Sequence, residues 1–261
     1  MAPQGVVVEK AGTATTYRKE DFPTATLARV LKASGEVLKR GISTTRRVEG
    51  YVIKSASQGT VSTLKRTLGQ HPQRRGWTSA LWLEARGINV PPPRAYVEYR
   101  RVGFTTGACL VSDYLDGYSN VEAYARTLVK LQTSEDKVLA YLMALARAVN
   151  DLSRTGAYHR DLSGKNVFTR DGESFSFIDL DSVEINVSYT DDRRLKNLVQ
   201  LYDSFCDYWP DRVLRQLVAA LSPETGDEDA WFARVRDGQA QRRARIEAIW
   251  RGEGKIPDVV E

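Results

Sequence analysis

Between positions 159 and 166 the chain reads HRDLSGKN, which gathers His159, Arg160, Asp161, Ser163, Lys165 and Asn166 into one short stretch. A solvated turn can have that composition, and so can the centre of a phosphoryl-transfer site. Moving a phosphoryl group from a nucleotide needs a cation on the phosphates and a carboxylate to hold a divalent metal. It also needs a second metal ligand and an acceptor for the proton of the attacking hydroxyl. Mg²⁺ takes hard oxygen ligands and keeps part of its water shell, so one Asp and one Asn can suffice. Asn166 stands five positions after Asp161, Asp179 follows eighteen positions after Asp161 in FIDLD, and Lys54 lies far upstream in YVIK. Four roles in this order rarely arise from an incidental turn.

The elements that must hold these residues can be read from periodicity. Residues 36–55, EVLKRGISTTRRVEGYVIKS, carry short β-prone runs broken by Gly41 and Gly50, which predicts two or three antiparallel strands with a tight turn at Gly50. A polar stretch follows, then a helix from about Trp77 to Arg86 that Gly87 stops. Pro91, Pro92 and Pro93 are expected to forbid helix and strand ladder alike. RAYVEYRRVGF and GACLVSDYLDG predict two further strands. From Ser134 the period changes: Val138, Leu139, Leu142, Leu145, Ala146, Val149 and Leu152 fall on one helical face, with Ser134 as N-cap and Gly156 as stop. NVF and FSFIDL read as short strands around the turn RDGE, and helices are expected at about 191–206, 210–221 and 228–250. The last of these, with the Trp77, Trp82, Trp231 and Trp250 set, is expected to pack in the core rather than face a membrane or a sugar.

Composition narrows the function classes. An apolar share of 42% and a charged share of 27% are those of a globular chain, and no apolar run is long enough to cross a bilayer. MAPQGVVVEKAG lacks the basic start and apolar run of a signal peptide, and Cys109 and Cys206 have neither metal-ligand spacing nor a disulfide framework. A cytoplasmic location is expected. The net charge of +5 comes from scattered basic clusters with no zinc-finger, RNP-like or basic-zipper signature, so nucleic acid is not expected as a partner.

HRDLSGKN resembles the protein-kinase catalytic loop H-R-D-L-x-x-x-N. IDLD stands where that fold has its metal-binding D-F-G, YVIK resembles the strand of the nucleotide lysine, and LVSDYLDG resembles the hinge strand. More narrowly, GWTSALWLEARGINVPPPRAYVE, the hinge text and YHRDL…N…FIDLD are similar to the bacterial lipopolysaccharide kinases of the Kdo/WaaP type. The resemblance implies an α+β, two-lobed protein-kinase-like fold: an antiparallel-sheet lobe over 1–112 that includes an N-terminal extension, a hinge at 113–118 and a helical lobe over 119–261. It implies ATP and Mg²⁺ as cofactors, and as acceptor a heptose or Kdo hydroxyl of the lipopolysaccharide inner core. Peripheral contact with the inner face of the inner membrane belongs to the same expectation. Lys54 would meet the α- and β-phosphates, Asp161 would take the acceptor's proton, and Asn166 and Asp179 would hold Mg²⁺. Backbone around Asp113 and Leu115 would meet adenine, and Gly41 would lie near the nucleotide. Lys165 would neutralise charge on the transferring phosphate, and His159 and Arg160 would brace the loop.

The departures from the kinase pattern are specific. A kinase lysine is usually paired with a helix Glu, yet no Asp or Glu lies between Lys54 and Leu83. Either Glu84 reaches Lys54, or Lys54 relies on Asp179 and the nucleotide. Asp181 reads as a turn-capping residue or a supplementary metal ligand. Asn197 stands where such folds often place an Asp that anchors the catalytic loop. No A-P-E follows IDLD and helix signals return by Asp191, which argues against a long regulatory loop. Other readings are an aminoglycoside-type or compact Ser/Thr kinase of the same fold, and a pseudokinase-like binding module.

Overall fold

The structure, a computed structural model, describes residues 5–41, 43–57, 71–101 and 104–252. Most of the polar stretch expected after the Lys54 strand, 58–70, lies outside them. The fold is α+β, and the chain divides into two compact units: Met1–Tyr118 with Ser176–Ile185, and Ser119–Phe175 with Asn186–Glu261.

The first unit is built on an antiparallel sheet of seven strands: β1 (Val6–Ala11), β2 (Ala14–Lys19), β3 (Glu36–Lys39), β4 (Thr44–Val48), β5 (Tyr51–Ser57), β6 (Pro93–Arg101) and β7 (Phe104–Asp113). Their order is β1-β2-β6-β7-β5-β4-β3. Of the two or three strands expected over 36–55, three are present, and the β4–β5 turn puts its positive φ on Glu49 (54°). Pro93 is not excluded from the ladder as expected. It pairs with Ser112 as the first residue of β6, a position where the missing N–H breaks no interior bond.

The pleat of the sheet sorts its side chains. Ile53, Ala95, Val97 and Val111 face Phe22, Leu27 and Val30, the last two on α1 (Thr24–Lys32). Tyr96 and Ala108 face Trp77 on α2 (Pro72–Glu84). Lys54, next to Ile53 and opposite Leu110 on β7, therefore lies on the α2 face. The helix starts five residues before the expected Trp77 because Pro72 sits in its first turn, where a proline is tolerated. Gly87, at a φ of 73°, closes it as expected.

The second unit is mainly helical, with α3 (Val121–Lys130), α4 (Glu135–Arg154), α5 (Asp191–Phe205), α6 (Asp211–Leu221) and α7 (Glu228–Gly252). The apolar face of α4 is buried as its period predicts, with Leu142 and Leu145 fully enclosed. Ser134 takes the N-cap position without a side-chain capping bond. Tyr141 is an aromatic hub, touching Phe175, Phe205 and Trp209. In α7, Trp231, Phe232 and Val235 are buried near the start, but Ile249 and Trp250 are 51% and 39% exposed near the end. The expectation of packing thus holds for the first half of this helix and for Trp77, and fails for Trp250.

Candidate active site

The loop containing HRDLSGKN follows α4 in the second unit, between the short strands β8 (Ser119–Asn120) with its partner β9 (Val167–Thr169) and the helices around them. Its last residues, Gly164–Asn166, form one 3₁₀ turn. Asn166 closes the loop on Asp161: its Nδ2 donates to the Asp161 carbonyl and to carboxylate Oδ2, both at 2.9 Å. One carboxylate oxygen is thereby fixed, and the Asn166 Oδ1 remains as a hard ligand atom. The Asp161 N–H donates to Nδ1 of His159 at 3.2 Å, so that nitrogen carries a lone pair. His159 is fully buried and braces the loop from within. Lys165 is exposed.

Helix α5 pins this loop from outside. Asn197 Nδ2 donates to the His159 carbonyl at 2.8 Å, and Gln200 Nε2 donates to the Arg160 carbonyl at 3.0 Å. Gln200 Oε1 accepts the Leu162 N–H at 2.8 Å, and Ser204 Oγ accepts the Gly164 N–H at 2.8 Å. These bonds satisfy backbone groups that burial would otherwise leave without partners. Gly164 is required for space: a Cβ there would lie 2.6 Å from Glu122 Cγ and 3.0 Å from Ser204 Cβ. Asn197 was foreseen as an anchor. Gln200 and Ser204 were not, although polar residues at 197, 200 and 204 share one helical face amid Leu198, Val199 and Leu201.

The other expected residues lie in the first unit. Lys54 is on β5, which is paired on both sides by β4 and β7. Its Nζ donates to Asp179 Oδ1 at 2.5 Å and to Asp181 Oδ1. Burial pushes the lysine pKa down, but the charges of Asp181 and Asp179 and their hydrogen bonds outweigh it, leaving the pKa above the ordinary lysine value. Asp179 has left-handed backbone (φ 58°, ψ 45°) and precedes the 3₁₀ turn Leu180–Ser182. A non-glycine residue in that conformation is held there by its surroundings. Glu84 does not reach Lys54. Its two oxygens lie 2.7 and 2.6 Å from Lys19 Nζ, so of the two alternatives for Lys54 the structure has the one with Asp179, and adds Asp181.

At the end of β7, the Asp113 carboxylate receives Nε and Nη2 of Arg94 at 2.7 and 2.6 Å, and its N–H donates to the Pro92 carbonyl at 3.0 Å. Tyr114 N–H goes to the Gly50 carbonyl at 2.8 Å, and the Leu115 carbonyl accepts from Tyr118 at 3.3 Å. Gly41 is exposed, and a Cβ there would meet nothing closer than the Ser43 carbonyl at 3.9 Å. Among the described residues no group of three or more His, Cys, Asp and Glu side chains could hold a metal ion by itself.

Solved structures share this fold. The chain resembles WaaP, solved in complex with acyl carrier protein, with a TM-score of 0.63 at 21% identity, over 82% of this chain and 91% of that one. It resembles WbdD with a TM-score of 0.51 at 16% identity, over 79% of this chain and 46% of that one. The protein is a phosphotransferase with a protein-kinase-like fold. It belongs to the lipopolysaccharide kinase (Kdo/WaaP) family, whose profile matches residues 32–221. No curated protein sequence matches the chain.

Proposed function

We propose that this kinase moves the γ-phosphate of ATP to a hydroxyl of the lipopolysaccharide inner core, on heptose or Kdo. The observation that carries the reading is the Asp161 carboxylate, fixed through one oxygen by Asn166 on a loop that α5 pins at four backbone groups. A carboxylate held this way is pre-positioned to accept a proton from a sugar hydroxyl. As the hydroxyl oxygen bonds to the γ-phosphorus, its proton passes to Asp161. The bond from that phosphorus to the β–γ bridging oxygen breaks, and ADP leaves with the electron pair. Lys54 is the cation for the α- and β-phosphates, and the exposed Lys165 neutralises charge on the transferring group or on a phosphorylated acceptor.

Asn166 Oδ1 and the Asp179 carboxylate are hard oxygen donors of the kind Mg²⁺ takes, and they are the residues that would hold it. When bound, the ion offsets negative charge on the phosphates. The backbone around Asp113 and Leu115 supplies the adenine contacts, with Gly41 near the nucleotide. The acceptor is a glycolipid, and no described helix is long and apolar enough to cross a membrane. The exposed Ile249 and Trp250, flanked by Arg245 and Arg251, support peripheral contact of α7 with the cytoplasmic face of the inner membrane.

The test is mass spectrometry of core oligosaccharide from a strain lacking the coding sequence. One inner-core phosphate is expected to disappear, and to return with the wild-type chain but not with Asp161→Ala. An unchanged phosphate pattern would overturn the reading.

A further inference from the structure

We propose that Asp181 is the standing partner of Lys54, the residue that keeps the lysine aimed at a nucleotide while Asp179 is given over to the metal. The inference rests on the kinase reading and goes beyond it by assigning the missing carboxylate.

Three observations lead there. First, α2 supplies no acid: 55–83 contains neither Asp nor Glu, and Glu84 is held by Lys19. Second, at its point nearest Asp181 α2 has no side chain to compete for Lys54. Gly76 lies there, and a Cβ on it would stand 3.1 Å from Leu110 Cδ2, 3.5 Å from the Asp181 nitrogen and 3.7 Å from the Asp181 Cβ. Leu110 is the cross-strand neighbour of Lys54, so the bare stretch of helix covers the place where Asp181 enters. Third, the left-handed backbone at Asp179 and the 3₁₀ turn after it bring two carboxylates from one loop onto the same ammonium.

The two carboxylates are not equivalent. The Asp179 side chain is 31% exposed and that of Asp181 20%. Ser182 ties Asp179 down further, its N–H on the Asp179 carbonyl at 2.9 Å and its hydroxyl 3.3 Å from Oδ2. Asp179 occupies the position that corresponds to the metal-binding acid, and a divalent cation there would draw its carboxylate charge away from Lys54. Asp181 can hold it throughout.

The sign of one measurement separates this role from its rivals. ATP is polyanionic, so removing a nearby negative charge should by field alone tighten its binding. Losing the residue that aims Lys54 should weaken it. Isothermal titration of ATP into wild type, Asp181→Asn and Asp181→Glu, each with Mg²⁺ and with EDTA, reads that sign, and thermal melting confirms that the variants are folded. Asp181→Asn is expected to bind about tenfold more weakly under both conditions, a difference of about 1.4 kcal/mol. Asp181→Glu, which keeps the charge, should recover most of the loss. Unchanged or tighter binding by Asp181→Asn, or a loss confined to the Mg²⁺ arm, would overturn the assignment, the last outcome making Asp181 a metal ligand. A wild type that binds ATP with this pattern but phosphorylates no acceptor would sink the proposed function alone. A wild type that transfers phosphate while Asp181→Asn binds normally would sink this inference alone.

Discussion

The Asp161 loop and the Lys54 cluster are held by different physics. The loop is fastened by neutral amides and a hydroxyl, with Asn197 and Gln200 only 2% and 8% exposed, and each bond satisfies a backbone group. Lys54 is held by two ionised carboxylates that are partly open to solvent. Neutral buried bonds have no better partner elsewhere, so the loop is finished before any ligand arrives. Charges at a partly open site can change partners when a phosphate or a divalent cation comes in. On the proposed function, one region stays still while a proton moves and the other exchanges contacts.

That contrast can be broken at several points. The largest effect is expected at the proposed proton acceptor. Asp161→Ala should lower kcat by about 10²–10⁴-fold while the ATP affinity seen by calorimetry stays close to wild type. Near-normal turnover would remove Asp161 from its role. Next, Gln200→Ala leaves the Arg160 carbonyl and the Leu162 N–H without their side-chain partners. Urea unfolding should show a loss of about 1–3 kcal/mol per unsatisfied group, together with a fall in kcat. A variant of unchanged stability would mean that the loop is not fastened from α5. Third, Asp179→Asn should weaken ATP binding about tenfold with Mg²⁺ present and much less in EDTA, in contrast to the equal loss in both arms expected for Asp181→Asn. Equal losses in both arms would merge the two acids into one role. The smallest effect belongs to Glu84→Gln. Its pair with Lys19 is near the surface, so stability should change by no more than about 1 kcal/mol and ATP affinity should not move. A marked loss of affinity would return Glu84 to Lys54.

The same contrast explains what could be read from the sequence. The loop was legible because its residues are contiguous, and the helix before it because Val138, Leu142, Leu145 and Val149 repeat at helical spacing. The N-terminal hairpin of β1 and β2 was passed over as an extension, since most β1 residues are partly or fully exposed and show no clean apolar face. Helix α3 was missed although Asn120 caps it, accepting the Ala123 N–H at 2.8 Å. Gln200 and Ser204 are ordinary polar residues until the loop backbone lies against them. Asp181 and Glu84 show the limit most clearly: which carboxylate meets Lys54 depends on the pairing of Glu84 with Lys19 and on the backbone turn at Asp179. Neither follows from distance along the chain.

The most direct test of the central claim is a single-turnover assay with γ-phosphate-labelled ATP, Mg²⁺ and inner-core glycolipid stripped of its phosphate. The account predicts label on a heptose or Kdo hydroxyl with stoichiometric ADP from the wild type, and none from Asp161→Ala. Label that stays on ATP, or leaves it only as inorganic phosphate, would contradict it.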